Sequence, residues 1–162
     1  DHHTKLGERG IVLAPSFAVV ESLAETLRMM KGGYKVFEHV RGEKLAELLE
    51  QFKAYSGGPA VLLTPSGFEG LDLPGSLSRY TIIVKAPYAS LGDKRIKVIL
   101  ETYPMIYAEA ALMKIVQGAG RSVRSQDDYA TTYILDTAAQ KLWRNNEWAD
   151  EFEVSYSSEL GT

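Results

Sequence analysis

The sequence has 162 residues, of which 45% are hydrophobic and 24% are charged, and its formal net charge is −3. This length predicts one domain with a sizeable core, and no apolar run is long enough to cross a bilayer. The absence of cysteine excludes disulfides and thiolate metal sites, and it mildly favours a cytoplasmic protein. Because the net charge is negative, nucleic-acid binding would require a local basic face.

Strand-like and helix-like segments alternate along the chain. The predicted strands span residues 11–14, 34–38, 60–63, 80–84 and 129–135, and the predicted helices span residues 17–30, 41–55, 94–103 and 108–124. Ser16 is predicted to cap the first helix and Gly32–Gly33 to stop it. Asp93 is predicted to cap the third helix, which Pro104 ends. Residues 143–162 form an acidic, peripheral tail whose tryptophans are expected to pack on the domain.

This alternation predicts parallel strands joined by crossover helices. Apolar strands of this kind suit burial on both faces of a sheet. The predicted fold is therefore α/β: a three-layer α/β/α sandwich with a mainly parallel sheet, formed by residues 1–162 as one domain. Such sheets bind ligands in the loops beyond the carboxyl ends of their strands. Two loops meet this condition, namely Pro15–Ser16 and TPSGFEGLDLPG (residues 64–75).

The segment QGAGRSVRSQDD, late in the chain, places two glycines and two arginines where the preceding pattern is helical. Each interior glycine costs a helix about 1 kcal/mol relative to alanine. On a helical wheel, Gln117, Arg121 and Arg124 fall within one narrow arc, nearly opposite the apolar face. One amide and two cations would therefore form a single polar stripe.

The two glycines separate two interpretations of this segment. Gly120 is predicted beside the polar stripe and Gly118 between core and solvent, where missing side chains would let a ligand or another backbone come close. The plainer interpretation is a solvated face on which the arginines pair with Asp127 and Asp128. Such pairs contribute about 0 to 1 kcal/mol and do not explain the glycines. Geometry alone favours the solvated face, so both interpretations stay open.

Three segments, GIVLAPSF, SGFEGLDLPG and QGAGRSVR, occur in an order that a known family shares. The last matches the Q-x-x-G-R-x-x-R motif that closes the second RecA-like domain of superfamily 2 helicases. SGFEGLDLPG resembles the preceding E-G-x-D motif in the form found in the DinG and XPD branch, and GIVLAPSF resembles the strand-to-helix motif that begins the domain. The resemblance covers nearly the whole chain and implies a RecA-like fold and an ATP-dependent motor.

The resemblance also implies a nucleotide site. Arg124 would be the arginine finger, with Arg121 beside it on the γ-phosphate and Gln117 near the attacking water. Asp72 would accept a hydrogen bond from the ribose or from an arginine of the helix, and Glu69 would couple the nucleotide to the nucleic acid. The implied nucleotide-binding residues are Glu69, Gly70, Asp72 and Gly120. Without the resemblance, a turn with an Asx bond is the favoured interpretation of the loop.

Hydroxyl groups at predicted strand ends point to a nucleic-acid contact. Ser16, Thr64 and Ser66 would hold phosphates of single-stranded DNA through hydroxyls and backbone N–H groups. Helix capping or turn bonding is the alternative role for these residues. The basic cluster KRIK (residues 94–97) is interpreted either as an electrostatic contact for DNA or, more commonly, as a solvated face.

No G-x-x-x-x-G-K-[ST] pattern occurs in the chain. The resemblance therefore implies that ATP and Mg²⁺ are held mainly by an amino-terminal RecA-like domain with this P-loop, and that this chain binds no metal. That domain and single-stranded DNA are the implied partners, and no membrane is involved. The expected function is the carboxyl-terminal motor domain of a DNA helicase, with 5′ to 3′ movement. Alternatives are an RNA helicase, the motor subunit of a nuclease complex, or a non-catalytic α/β interaction module.

Overall fold

A computed structural model describes residues 2–30, 32–66, 71–119, 129–144 and 155 of the chain. The strands in these ranges are β1 (Arg9–Leu13), β2 (Lys35–Glu38), β3 (Ala60–Thr64), β4 (Tyr80–Ile83) and β5 (Thr131–Ile134). The helices are α1 (His2–Lys5), α2 (Phe17–Met29), α3 (Leu45–Ala54), α4 (Lys94–Thr102), α5 (Pro104–Ala119) and α6 (Thr137–Arg144). No helix within these ranges has the length and apolar character needed to cross a membrane.

The strands form one sheet in the order β2-β3-β1-β4-β5, and every neighbouring pair is parallel. In its register, Ile11 of β1 lies between Leu62 of β3 and Thr81 of β4. Every residue of β3 is buried, as expected for a central strand covered on both faces. The predicted parallel α/β sheet is confirmed.

Two hydrophobic clusters cover the two faces of this sheet. Side chains alternate along β1, so Ile11 and Leu13 join one cluster while Val12 joins the other. The larger cluster contains side chains of α3, α5 and α6, including Phe52, which is fully buried. The smaller cluster contains side chains of α2. Burying one such large apolar side chain contributes about 1.5 to 3 kcal/mol, so these clusters hold the three predicted layers together.

Two helix starts differ from the prediction. Helix α3 begins at Leu45 rather than Arg41, because Gly42 adopts a φ of 94° in a turn closed by a bond from the Glu43 N–H to the Val40 carbonyl. Helix α5 begins at Pro104 rather than Ala108. A proline ends the preceding helix, but its fixed φ also suits the first position of the next one.

Helices α1 and α6 were not predicted. Helix α6 begins after Asp136, whose carboxylate accepts a hydrogen bond from the Ala138 N–H at 2.9 Å and caps the helix. Trp143, within α6, packs against the larger cluster as expected. Trp148 lies outside the described residues.

Candidate functional site at the carboxyl edge of the sheet

The parallel strands all end at one edge, here called the carboxyl edge. Hydrogen bonds continue the sheet beyond the strands: the N–H of Ala14 donates to the Thr64 carbonyl at 3.0 Å, and that of His39 donates to the Leu63 carbonyl at 3.0 Å. The N–H of Val84 donates to the Leu13 carbonyl, also at 3.0 Å. The two loops predicted to bind ligands therefore leave the sheet side by side.

Ser16 caps α2, as its position before the apolar-periodic segment predicted. Its backbone is extended, with φ of −163°, and its Oγ accepts a hydrogen bond from the Val19 N–H at 3.4 Å. The residue is exposed. Because capping uses the hydroxyl oxygen only as an acceptor, the hydroxyl proton can be donated to a ligand at the same time.

Thr64, predicted to face nucleic acid, is instead fully buried at the end of β3. Its Oγ1 lies 2.8 Å from Nδ1 of His39 and 2.8 Å from the Ser66 carbonyl, either of which can take its proton, and it accepts from the Ser66 N–H at 3.1 Å. The Thr64 hydroxyl is therefore committed to the protein interior. Ser66 itself is exposed where the loop leaves the sheet.

Asp72 is exposed between two buried leucines of the same loop. Leu71 and Leu73 are 1% and 0% exposed and belong to the larger hydrophobic cluster. Their insertion into the core turns the intervening carboxylate outward. Gly75, with φ of 59°, begins the short 3-10 turn Gly75–Leu77 that follows. The predicted residues Glu69 and Gly70 lie outside the described residues.

The end of α5 carries the first residue of the arginine motif. Gln117 is exposed, while Ile115 and Gly118 are buried. The predicted place of Gly118 between core and solvent is therefore wrong, because this glycine faces the packed side of the helix. The predicted residues Gly120, Arg121 and Arg124 lie outside the described residues, as do Asp127 and Asp128.

Two side chains at this edge were missed by the sequence interpretation. The Asp136 carboxylate accepts a hydrogen bond from the Ala86 N–H at 2.9 Å as well as from α6, so it ties the chain after β4 to the end of β5. An aspartate between a strand and a helix is a capping signal that could have revealed it. His39 is buried against Thr64, and a single histidine after a strand gives no comparable signal.

The basic cluster of α4 shows the geometry of a solvated face. Asp93 caps this helix as predicted, accepting from the Arg95 N–H at 2.9 Å. The same carboxylate pairs with the Arg95 guanidinium at 2.8 Å, and the side-chain and backbone hydrogen bonds from Arg95 hold the pKa of Asp93 below its usual value. Lys94 and Lys97 are exposed, and α4 has no buried residue.

No group of three or more histidine, aspartate or glutamate side chains within the described ranges is arranged to hold a metal ion. The polar side chains described above carry hydroxyl, amide, imidazole and carboxylate groups. Groups of this kind can hold phosphate oxygens and ribose hydroxyls through hydrogen bonds.

Two curated proteins align with most of the chain. The ATP-dependent DNA helicase DinG of Photobacterium profundum is 30% identical over 138 residues, which cover 78% of this chain and 20% of that protein. The ATP-dependent DNA helicase YoaA of Escherichia coli is also 30% identical over 138 residues, covering 79% of this chain and 21% of that protein. The chain therefore spans about a fifth of the length of these relatives.

The fold and the family agree with these alignments. A solved structure of Xpd4 from S. tokodaii superposes with a TM-score of 0.53 at 20% identity, over 88% of this chain and 29% of that one, and it shows the same RecA-like fold. The profile of the helicase C-terminal domain family matches residues 2–152, a range that contains all three motif segments. The chain accordingly belongs to the helicase C-terminal domain family, and its alignments with DinG and YoaA agree with the resemblance to the DinG branch.

Proposed function

We propose that this chain is the carboxyl-terminal motor domain of an ATP-dependent DNA helicase. The observation that carries the proposal is the family match over residues 2–152, because it includes both carboxyl-edge loops and the arginine segment after α5. The names of the two curated relatives, both ATP-dependent DNA helicases, support the same activity. In this proposal an amino-terminal RecA-like domain contributes the P-loop, and ATP binds in the cleft between the two domains.

The arginine segment would complete the ATP site. Arg124 acts as the arginine finger, Arg121 contacts the γ-phosphate, and Gln117 orients the attacking water. A guanidinium stays charged at any working pH and presents a planar fork to phosphate oxygens. Phosphoryl transfer depends mainly on positioning and charge neutralisation. Gln117 is exposed on a helix anchored by the buried Leu112 and Ile115, so its amide is presented from a fixed support.

The loop after β3 would contact the nucleotide through Glu69, Gly70 and Asp72, with Gly120 approaching from the arginine segment. Asp72 suits a hydrogen bond to ribose or to an arginine because its neighbours are buried and hold its backbone in place. Mg²⁺ neutralises phosphate charge in such sites. In this proposal Mg²⁺ is held mainly by the other motor domain.

The same edge would hold single-stranded DNA. Ser16 and Ser66 are exposed at the ends of neighbouring strands, where their hydroxyls can donate to phosphates. The guanidinium of Arg41 lies 5.3 Å from the Phe17 ring centre, beside Ser16, and would add a positive charge. The buried Thr64 would contribute indirectly, because its hydroxyl bonds the backbone of Ser66 and holds that residue in position.

Movement would follow from the phosphate contact. The arginines hold the γ-phosphate while the two domains are closed, and hydrolysis removes that contact so that the cleft opens. Ser16 and Ser66 then alternate between tight and loose contact with the strand. We propose that the resulting steps run 5′ to 3′. A strand-displacement assay with 5′-tailed and 3′-tailed DNA, and with matching RNA, tests both the direction and the choice of nucleic acid.

The finger role is tested by Arg124→Ala in the full-length protein. An arginine finger is worth about 10³ to 10⁵ in rate, or about 4 to 7 kcal/mol. DNA-stimulated ATP hydrolysis should fall by that factor while ATP binding is retained. Arg95→Ala is the matched control, because it removes an exposed guanidinium from an ion pair on α4 and should leave turnover unchanged. Near-normal turnover in Arg124→Ala would exclude the finger role.

A further inference from the structure

We propose that His39 and Thr64 position Ser66, where the chain leaves β3, for DNA-stimulated ATP hydrolysis, with His39 acting through the Thr64 hydroxyl. This inference rests on the proposed function, because the position of Ser66 matters to turnover only if Ser66 contacts the DNA that stimulates hydrolysis. His39 belongs to none of the three motif segments. It is nevertheless buried, at 5% exposed, against a threonine that is 0% exposed.

The orientation of the His39 ring is fixed from several sides. Its Nε2 lies 3.2 Å from the Glu43 carbonyl, and because a carbonyl can only accept, Nε2 carries a hydrogen. In the neutral ring Nδ1 is then the acceptor. The ring also meets Phe17 of α2 edge-on, at 5.2 Å between centres. Nδ1 is therefore held toward Thr64, at 2.8 Å from its Oγ1.

The Thr64 hydroxyl has one proton and two acceptors within reach. His39 Nδ1 and the Ser66 carbonyl each lie 2.8 Å from Oγ1, while the Ser66 N–H donates back to Oγ1 at 3.1 Å. A hydroxyl that bonds the backbone two residues on holds a tight turn. His39 thus controls the hydroxyl that fixes the first turn of the loop.

The bonds of Thr64 act on the residues that leave β3. Leu71 and Leu73, further along the chain, are anchored separately in the larger hydrophobic cluster. A valine at position 64 would fill the same volume without the cost of burying a polar group. The buried polar pair is therefore best explained by the geometry it imposes on Ser66.

The first test compares Thr64→Val with Thr64→Ser in the full-length protein. Valine keeps the shape and removes the hydroxyl, whereas serine keeps the hydroxyl. Small misplacements of catalytic groups cost about tenfold or more in rate, so we expect kcat for DNA-stimulated hydrolysis to fall about tenfold in Thr64→Val. The KM for ATP should stay nearly constant, and Thr64→Ser should retain most of kcat.

Thr81→Val is the matched control. Thr81 is 1% exposed in β4, and its Oγ1 has no hydrogen-bond partner among the described residues. The same isosteric change there alters a buried threonine far from the loop start, so kcat should not change. The melting temperature of each variant is measured alongside, so that loss of folding is separated from loss of turnover.

The second test uses two replacements of His39. Asparagine places a polar atom where Nδ1 lies, and glutamine places one where Nε2 lies. If His39 acts through Thr64, His39→Asn should retain most of kcat and His39→Gln should lose about tenfold. Equal losses that follow the melting temperatures would overturn the proposed positioning.

The outcomes separate this inference from the function on which it rests. A full-length wild-type protein without DNA-stimulated hydrolysis would overturn both. An active wild-type protein together with an equally active, folded Thr64→Val variant would overturn only the positioning role. A selective fall in kcat for Thr64→Val and His39→Gln would support it.

Discussion

At the amino edge of the sheet, where the strands begin, rings and charged groups pack against one another. The His3 ring stacks on Tyr80 at 4.3 Å between centres, its Nδ1 bonds Glu8 at 2.6 Å and its Nε2 bonds the Tyr133 hydroxyl at 2.9 Å. The Tyr129 hydroxyl reaches the same Glu8 carboxylate at 3.1 Å. These contacts join α1 to three segments of the sheet region, so side chains at this edge hold elements to each other.

At the carboxyl edge, hydrogen bonds of the same kinds fix the points where loops leave the sheet. Ser16 starts α2, Thr64 turns the chain at Ser66, and Asp136 ties the chain after β4 to β5. Asp72 and Ser66 remain exposed. We therefore expect changes at the amino edge to cost stability and spare activity, and changes at the carboxyl edge to cost activity and spare stability.

Arg9→Met should show the largest effect on stability. The Arg9 guanidinium donates to the carbonyls of Phe52 and Tyr55, the latter at 3.0 Å, and lies 4.3 Å from the Phe52 ring centre. The last carbonyls of a helix lack hydrogen-bond partners within the helix. A cation at this end is also stabilised by the partial negative charge of the helix dipole. Loss of charged hydrogen bonds predicts about 2 to 3 kcal/mol less free energy of unfolding, measured by urea denaturation.

The control for this change is Lys44→Met. Lys44 pairs with Glu47 at 3.3 Å, but both side chains are largely exposed, so the pair should be worth less than about 1 kcal/mol. ATP hydrolysis by the folded full-length Arg9→Met protein should equal that of wild type. A loss of turnover without a loss of stability would break the proposed contrast between the edges.

Asp72→Ala should give the opposite result at the carboxyl edge. Because Asp72 is exposed between two buried leucines, truncating its side chain should lower the melting temperature much less than Arg9→Met does. The proposed contact with the nucleotide predicts a fall of about tenfold in kcat/KM for ATP, equivalent to about 1.4 kcal/mol. Glu25→Ala, which removes an exposed carboxylate from α2, is the control. Equal kinetics in the two variants would remove Asp72 from the nucleotide site.

Ser16→Asp separates the capping role of Ser16 from its proposed contact with DNA. Aspartate caps helices about as well as serine, so the melting temperature should be retained. A carboxylate beside a DNA phosphate is repulsive, and we expect the Kd for single-stranded DNA to rise about fivefold, or about 1 kcal/mol. Ser22→Asp adds the same charge further along α2, at another exposed residue. If both variants bind DNA as wild type does, Ser16 serves only as a cap.

The parts of the fold that follow from local sequence were predictable. Alternating apolar segments gave the parallel sheet, and side-chain caps located the starts of α2 at Ser16 and α4 at Asp93. Pro104 was misleading because one residue both ends α4 and begins α5. Helices α1 and α6 span only 4 and 8 residues, which is shorter than the window in which a hydrophobic period is sought.

The sequence could predict where the candidate site lies but not the contacts within it. Its loops follow strands in the sequence, so their common edge could be inferred before any contact was known. The burial of Thr64 could not be inferred, because it depends on a contact with His39. His39 lies 25 residues earlier in the sequence and reaches Thr64 only because β2 pairs with β3. The histidine pair near the amino terminus likewise had no assigned role, although His3 lies at the centre of the amino edge.

Glu8→Gln should have the smallest effect on stability, and the pH dependence of that effect tests the role of charge at the amino edge. Burial opposes ionisation of Glu8, but hydrogen bonds from His3 and Tyr129 and the charges of His3 and His2 outweigh it, so the pKa of Glu8 lies below its ordinary value of 4.5. A carboxyl group with a lowered pKa stabilises the fold above its unfolded pKa and loses this contribution as the pH falls through the folded value.

At pH 7 the free energy of unfolding of wild type should therefore exceed that of Glu8→Gln by less than about 1 kcal/mol. This difference should disappear below a pH of about 4. Thermal unfolding between pH 7 and pH 3 measures it. Glu50→Gln is the control, since Glu50 is 75% exposed in its pair with Lys53 and should show a smaller gap at every pH. A stability difference for Glu8→Gln that does not change with pH would mean that Glu8 contributes through packing. The amino edge would then be stabilised by its aromatic rings rather than by its charges.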